Sequence, residues 1–399
     1  MKTRIVGEFE ASNIYNIMEV APNHFTCEMK PESPSTFRYP DHHGYWFFLK
    51  VENAQGKEIT IDITNCDWMP SHWKHYKPVL TYSDPNSING HRWEKIINTT
   101  RFKNTFRFSH EYLESVAWVA LRYPYTYTYY QEYLETIRNN PFIEIESIFR
   151  TREGRNLNVV TITDRKVAMS QKKTLIIYAR EHGIEQEGSW VCQGIINFLL
   201  SESPEAAILK REATFLIIPM LAPDAASHGR CTDPYTGGLI SCDFIQNNVD
   251  KMKMDEPKAI WRKIKEIVEG GNPIDICISL HSPHGWEENI WANIHDSIRR
   301  KEGKRLSKAI FAQCNGFTKR GPEYRWGRFS LPGRCAIEFG SIAMLLEINQ
   351  HAKKSFLSIE DLKIMGRAIC NGIYEYYDFC IKKKMKSKKR NSKIIYVER

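Results

Sequence analysis

Hydrophobic and polar residues alternate along the first third of the chain in the manner of β-strands. The segments 44–53 (GYWFFLKVEN) and 58–65 (EITIDITN) flank the polar stretch AQGK, which predicts a β-hairpin. In the second segment three isoleucines alternate with polar residues, so we expect one buried face and one hydrated face. Short apolar segments at 77–83 and 116–123 follow, separated by polar turns. The pattern predicts an antiparallel β-sandwich. An insertion-rich sheet that belongs to one large domain is the alternative.

After residue 130 the pattern changes to apolar runs that alternate with segments of helical periodicity. The strand candidates are LNVVTIT, KTLIIYA, TFLIIPML, DICISLH and AMLLEIN. Such nearly continuous apolar runs are typical of strands that helices cover on both faces. Helices are predicted at 131–140 and 189–200, and a final helix begins with a capping box from Ser358 to Asp361. Its inward-facing residues are expected to be Leu362, Met365, Ile369 and Ile373.

The length of 399 residues exceeds that of a usual single domain and, together with this change of pattern, predicts two domains. We place a β-sandwich domain at 1–128, an α/β domain at 129–381 and a basic C-terminal tail at 382–399.

The formal net charge of +9 is concentrated in that tail. Residues 382–393 contain eight Lys or Arg and no acidic residue, which leaves +1 for the remainder of the chain. A nearly neutral body argues against a specific nucleic-acid partner. The tail is typical of a solvated, disordered end, and binding to an anionic partner is the alternative.

Several classes of protein find no support in the sequence. No apolar stretch is long enough to cross a bilayer, and the N-terminus lacks the apolar core of a signal peptide, so we expect a soluble cytoplasmic protein without a membrane partner. The ten cysteines form no Cys-x-x-Cys pair, which fits a reducing compartment, and Cys277 is expected to be a buried small hydrophobe. There is no Gly-x-Ser-x-Gly elbow, phosphate-binding loop or dinucleotide fingerprint.

Metal-ligating side chains follow three of the predicted strands. His182 and Glu185 come directly after one, His281 ends another, and Glu347 ends a third. Ligand sites in α/β sheets lie beyond the carboxyl ends of the strands, and two histidines with one carboxylate form a catalytic zinc set. A further carboxylate, Glu347, can exchange a proton with the attacking water. The alternatives are a satisfied polar residue at the end of a strand for His281 and an ordinary ion pair for Glu347.

Several segments resemble landmark segments of a known family. YWFFLKVEN, YPYTYT, PMLAPDAASHGRC and the SW pair after the His-x-x-Glu motif resemble those of the zinc metallocarboxypeptidases, specifically the cytosolic carboxypeptidase subfamily, over about residues 40 to 380. The resemblance implies an N-terminal antiparallel β-sandwich followed by an α/β metallocarboxypeptidase domain, a mixed sheet covered by helices on both faces. It also implies one zinc ion held by His182, Glu185 and His281, with Glu347 as general base and Arg230 polarising the scissile carbonyl.

The chain departs from the family pattern at the substrate clamp. Where the family has Asp-Leu-Asn-Arg, residues 243–246 read Asp-Phe-Ile-Gln, so Gln246 stands in place of the arginine that grips the substrate carboxylate. We assign substrate contact to Gln246, Tyr324 and Arg328. The loop that contains the last two residues also supplies Arg320, Arg325 and Arg334, as a replacement anchor or as an exposed basic loop. Glu338 is a weaker rival to Glu347 as the general base.

Three functions follow from these residues. The first is a zinc metallocarboxypeptidase that removes a C-terminal or side-chain-linked residue from a peptide or protein, with acidic residues as the class that the resemblance implies. The second is a zinc amidase or deacylase whose substrate lacks a free α-carboxylate. The third is a catalytically retired binding protein that uses its basic tail.

Overall fold

The N-terminal part of the computed structural model is built from two five-stranded sheets. The residues described are 1–32, 45–67, 73–89, 92–246, 249–283, 290–293, 299–314, 319–320, 330–352 and 355–391. The first ten strands are β1 (Arg4–Val6), β2 (Ile14–Ala21), β3 (His24–Met29), β4 (Phe48–Glu52), β5 (Lys57–Ile63), β6 (Val79–Thr81), β7 (Glu94–Lys95), β8 (Thr99–Phe102), β9 (Thr105–Tyr112) and β10 (Val116–Ala120). One sheet has the order β1-β4-β10-β6-β7 and the other β2-β3-β5-β9-β8. All their pairings are antiparallel except that of β3 with β5.

The predicted β-sandwich is therefore confirmed, but the predicted hairpin is wrong. Strands β4 and β5 belong to different sheets, and the AQGK stretch crosses from one sheet to the other. Leu49 and Val51 of β4 and Ile59 and Ile61 of β5 are fully buried in one hydrophobic cluster. Facing sheets bury both apolar faces against each other, whereas an isolated two-stranded ribbon would leave one of them in water.

The second part is an eight-stranded mixed sheet with helices on both faces. Its strands are β11 (Ile143–Arg150), β12 (Asn156–Ile162), β13 (Lys173–Ala179), β14 (Ala213–Ile218), β15 (Ile274–His281), β16 (Ile290–Asn293), β17 (Lys319–Arg320) and β18 (Ile342–Glu347). Two short strands, β19 (His351–Ala352) and β20 (Ser355–Phe356), pair separately. The helices are α1 (Tyr127–Ile137), α2 (Gln186–Leu199), α3 (Pro204–Glu212), α4 (Pro223–Ser227), α5 (Ile240–Asp243), α6 (Asp255–Glu269), α7 (Arg300–Phe311), α8 (Leu331–Phe339) and α9 (Ile359–Asn391). Short 3-10 turns lie at Trp73–His75, Met169–Gln171 and Val249–Lys251.

The eight strands have the order β11-β12-β14-β13-β15-β18-β16-β17, in which the four central strands are parallel. All five strands predicted from apolar runs are present, and β13 shows why those runs carry no polar face. Its odd-numbered residues, such as Leu175 and Ile177, pack in a cluster with α2 and α9, while Ile176 and Tyr178 pack in a second cluster with α6 and α8. Both faces of the strand are therefore covered.

Helix α9 begins as predicted and extends further than predicted. Ser358 and Asp361 form the reciprocal capping box, with the Asp361 amide 3.1 Å from Ser358 Oγ and the Ser358 amide 2.8 Å from Asp361 Oδ2. The four inward residues named from the sequence are fully buried. The helix continues to Asn391, so residues 382–391 are helical rather than irregular, because Lys, Met and Arg are good helix formers. Within the described residues, no helix combines the length and apolarity needed to span a membrane.

Candidate metal centre and active site

The loop between β13 and α2 is held in shape by a buried arginine. Arg180, the first residue after β13, is fully buried and has a positive φ of 61°. Its guanidinium donates to Tyr125 O at 3.0 Å, to Gln186 Oε1 at 2.8 Å and to Gly183 O. Burial lowers the pKa of Arg180 to about 10, so the group stays charged at neutral pH. A strained backbone fixed by three bonds fits a loop whose side chains must be placed accurately.

Three predicted metal ligands converge at the carboxyl ends of β13 and β15. The candidate ligand atoms of His182, Glu185 and His281 lie within 4.8 Å of one another. Glu185 lies between the two rings, with Oε1 2.8 Å from His182 Nδ1 and Oε2 3.0 Å from His281 Nδ1. Glu185 and His281 are buried, and His182 is half-buried. One carboxylate therefore orients both imidazoles toward a common point.

The charged groups of this cluster shift one another's pKa values. Burial by itself would lower the pKa of His182 and of His281, but the adjacent Glu185 carboxylate outweighs it and raises both pKa values. The two imidazoles in turn lower the pKa of Glu185 well below its ordinary value, against the effect of burial. The cluster thus favours an anionic carboxylate beside positive charge. A bound divalent cation would supply that positive charge in place of the imidazolium protons, because a histidine that binds a metal is neutral.

Glu181 is a second carboxylate in this centre that the sequence reasoning missed. It is buried, and its Oε2 lies 3.1 Å from His281 Nε2 and 3.3 Å from the Tyr178 hydroxyl. His281 therefore presents Nδ1 to the ligand cluster while Nε2 faces Glu181. Metal-binding histidines commonly donate their other ring N–H to a carboxylate in this way. The position next to the His-x-x-Glu motif was the available signal.

Glu347 lies beside the ligands, whereas its rival does not. In the parallel pairing of β15 with β18, His281 and Glu347 are register partners, so their side chains emerge from the same face of the sheet. Glu338 is instead on α8, where its carboxylate pairs with Arg334 Nε at 2.8 Å and with Lys265 Nζ at 3.0 Å. Arg334 is buried over the Trp261 ring. Glu338 is exposed and forms a structural ion pair with Arg334 beside Trp261.

Arg230 approaches the ligand loop from the segment after α4. Its carbonyl oxygen would lie only 2.4 Å from a Cβ at Gly183, so only glycine fits at this position next to His182. The following residues are held by Glu32 of the N-terminal part, which accepts hydrogen bonds from the Cys231 amide at 2.7 Å and from Thr232 Oγ1 at 2.7 Å. Glu32 is a second group that sequence reasoning missed.

The predicted substrate contacts are described only in part. Asp243 accepts the amides of Lys253 and Met254, both at 2.7 Å, and Gln246 follows it with its own amide bonded to Asp243 O at 3.0 Å. This segment is therefore a fixed turn before α6, and the substrate role of Gln246 stays a prediction. Tyr324 and Arg328 lie outside the described residues, as do Arg325 and the side chain of Arg320.

Two families match adjoining parts of the chain. Residues 5–121 match the cytosolic carboxypeptidase N-terminal domain and residues 126–235 match the zinc carboxypeptidase family, together more than half of the chain. Cytosolic carboxypeptidase 2 of Xenopus tropicalis is 27% identical over 421 residues, which cover 93% of this chain and 41% of that protein. Bovine (Bos taurus) cytosolic carboxypeptidase 3 is 26% identical over 331 residues, covering 76% of this chain and 32% of that protein. The chain thus spans about a third to two fifths of the length of these relatives.

Solved structures share the complete fold. A metallo-carboxypeptidase from Burkholderia cenocepacia superposes with a TM-score of 0.81 at 20% identity, covering 95% of this chain and 100% of that one. A metallo-carboxypeptidase from Pseudomonas aeruginosa, in complex with (2-guanidinoethylmercapto)succinic acid, gives 0.77 at 17% identity, covering 94% and 99%. The solved structures show the fold that the chain shares with metallo-carboxypeptidases. The two family matches identify a cytosolic carboxypeptidase N-terminal domain at 5–121 followed by a zinc carboxypeptidase domain at 126–235.

Proposed function

We propose that the chain is a zinc-dependent metallocarboxypeptidase that hydrolyses a C-terminal or side-chain-linked residue of a peptide or protein, with acidic residues as the expected class. The observation that carries this proposal is the convergence of His182, Glu185 and His281 beside Glu347. The names of the cytosolic relatives support action in the cytoplasm.

The ligand cluster fits zinc. Two imidazole nitrogens and one carboxylate oxygen are the donor set of many catalytic zinc sites, and all three side chains reach one point. When bound, zinc would act as a Lewis acid that lowers the pKa of water, so that hydroxide is available to attack a peptide carbonyl near neutral pH. Glu181 would hold His281 with Nδ1 toward the ion.

The remaining steps belong to the chain's own side chains. Glu347, beside His281, would take the proton from the attacking water and return it to the departing amine. Arg230 would stabilise the negative charge that develops on the carbonyl oxygen, because a fixed cation acts most strongly on charge formed in the transition state. Glu32 would keep that segment in place through the amides after Arg230.

The substitution Glu347→Gln tests this assignment. We expect hydrolysis to fall by at least about a hundredfold, since general acid–base catalysis contributes about 10²–10⁴. Zinc content should stay at the parental level, because Glu347 is not one of the three ligands. Steady-state hydrolysis of a panel of C-terminally varied peptides, with zinc measured on the same samples, gives both numbers. Hydrolysis by Glu347→Gln at the parental rate would refute the role of Glu347.

The residues at 243–246 favour a second candidate, a zinc amidase or deacylase. Neither Ile245 nor Gln246 can form the paired hydrogen bonds of a guanidinium with a carboxylate. Peptides that are identical except for a free or an amidated C-terminus separate the two functions. A carboxypeptidase should prefer the free acid, whereas equal or better hydrolysis of the amide would favour the alternative.

A further inference from the structure

The segment that connects the two parts of the chain runs underneath the candidate active site. Residues 121–125 (LRYPY, the connecting segment) follow β10 and lead into α1. Three carbonyls and two amides of this segment are hydrogen bonded to side chains of the second part. The bonds are Leu121 O with His351 Nε2 at 2.9 Å, Tyr123 N with Gln350 Oε1 at 2.9 Å, Tyr123 O with Trp190 Nε1 at 3.1 Å, Tyr125 N with Gln186 Oε1 at 2.8 Å, and Tyr125 O with Arg180 Nη1 at 3.0 Å.

These partners are close neighbours in sequence of the proposed catalytic residues. Gln186 directly follows Glu185, Arg180 lies two residues before His182, and Gln350 lies three residues after Glu347. The backbone of the connecting segment thus contacts the loop after β13 and the turn after β18. The carboxyl end of β15, which carries His281, is contacted by a side chain instead.

That side chain is Arg122. It is fully buried, and its Nη2 donates to Pro283 O at 3.1 Å, two residues beyond His281. Its Nε lies 3.4 Å from Oε1 of Glu187, a fully buried residue two positions after Glu185. Glu187 also accepts a hydrogen bond from Ser282 Oγ at 2.7 Å and another from the Gln350 amide at 3.2 Å. One buried ion pair therefore connects three chain segments that each follow a proposed catalytic residue.

The Arg122 guanidinium and the Glu187 carboxylate carry opposite charges and lie next to each other in the protein interior. Burial would lower the pKa of Arg122, but the Glu187 carboxylate outweighs that effect and raises it. Removing one partner of a buried ion pair leaves the other charge without compensation in a medium of low polarity. A neutral residue at 122 would thus let Glu187, and with it Ser282 and Gln350, shift toward other donors or toward water.

We propose that Arg122, in the segment that connects the two parts, is a positioning residue of the candidate metal centre. Through Glu187 and Pro283 it sets the spacing between Glu185, His281 and Glu347. This inference rests on the proposed function, because it assumes that these residues bind zinc and activate water. The connecting segment is then a component of the active site and not only a link between the two parts.

The test is the zinc dissociation constant of the full-length Arg122→Met variant, measured by competition with a chromophoric chelator. Displaced outer-shell groups typically cost metal sites about 10–100-fold in affinity, so we expect at least a tenfold weaker zinc affinity. The matched control is Arg107→Met. Arg107 pairs with Asp62 at 2.6 and 2.7 Å inside the N-terminal part, so its removal should lower stability while zinc affinity stays parental.

A second variant that retains the positive charge keeps the test possible if Arg122→Met does not fold. Arg122→Lys keeps the cation but loses the planar group that reaches both Pro283 and Glu187, and it should weaken zinc binding in the same direction. Parental zinc affinity in folded Arg122→Met, or in Arg122→Lys if the methionine variant does not fold, would overturn this inference alone. A parental chain that binds no zinc would overturn the proposed function, and this inference with it.

Discussion

At the scale of single residues, the candidate metal centre is built on buried carboxylates that contact the same imidazole rings. Glu185 contacts Nδ1 of both histidines, and Glu181 contacts the far side of His281. The two rings lie with centroids 5.1 Å apart. Because each carboxylate restricts how a ring can rotate, the histidines are oriented before any ion arrives, and little ordering entropy remains to be lost on binding.

A buried carboxylate away from this centre gives a prediction about pH. Glu256, near the start of α6, is buried close to Asp224, Asp233 and Asp255, and burial followed by these like charges raises its pKa to about 7 from 4.5. When folding raises the pKa of a carboxyl group, the folded state loses stability at every pH above the pKa of that group in the unfolded chain. Glu256→Gln should therefore be more stable than the parent at pH 8, by roughly 2–3 kcal/mol at most.

The stability difference between Glu256→Gln and the parent should depend on pH. It should shrink as the pH falls from 7 toward 4.5, because Glu256 then becomes protonated in both the folded and the unfolded state. Urea unfolding of parent and variant at a series of pH values measures this difference. A variant that is less stable than the parent at pH 8 would contradict it.

The sequence pointed to residues that lie at the ends of strands but not to their buried partners. His182, Glu185, His281 and Glu347 could be named because each follows an apolar run. Glu181 and Arg122 are harder to assign, although Glu181 adjoins the His-x-x-Glu motif. A charged residue beside an apolar run is usually solvated, and only the tertiary fold shows that these two are buried. The assignment of substrate contact to Tyr324 and Arg328 stays a prediction.

At the scale of elements, the loop between β13 and α2 depends on a close backbone approach. A Cβ at Gly183 would lie 2.4 Å from Arg230 O and 2.6 Å from the Ala226 amide nitrogen. The segment before Arg230 therefore packs closer to the ligand loop than a residue with a side chain would allow.

Gly183→Ala should accordingly destabilise the protein by about 1–3 kcal/mol, because backbone on both sides must move. Zinc affinity should fall as well, since His182 directly precedes Gly183. Gly270→Ala is the control, because Gly270 is exposed and the nearest atom to an added Cβ is 3.3 Å away. Denaturant unfolding and zinc titration of both variants are the measurements. Equal stability of Gly183→Ala and the parent would show that the loop accommodates a Cβ at this position, which would contradict the prediction.

Strands with apolar runs were predictable, and pairings between strands were not. The five runs after residue 150 became strands of one sheet because both of their faces are covered. The segments around AQGK had the composition of a hairpin, yet β4 and β5 are in opposite sheets. Local patterns show which face of a strand is apolar, but they do not show which strand lies beside it.

At the scale of the whole molecule, the two parts share a hydrophobic core. One hydrophobic cluster runs from Trp46 and Phe47 of the sandwich through Tyr125 to Trp190 of α2, with the last two rings 4.8 Å apart. Glu32 and Arg122 reach the second part through contacts that span 199 and 65 residues of sequence. Sequence patterns separate the two parts clearly, but contacts over such separations are set by the tertiary fold.

The central claim is that His182, Glu185 and His281 bind one zinc ion. The most direct measurement is metal content by mass spectrometry, made on the parental protein and on His182→Ala and His281→Ala after dialysis against zinc-free buffer. We expect one zinc per chain in the parent and loss of most of it in both alanine variants, because a tetrahedral zinc site with one open position has only three protein ligands. Undiminished zinc in His281→Ala, or a parent that takes up no zinc when it is supplied, would contradict the claim.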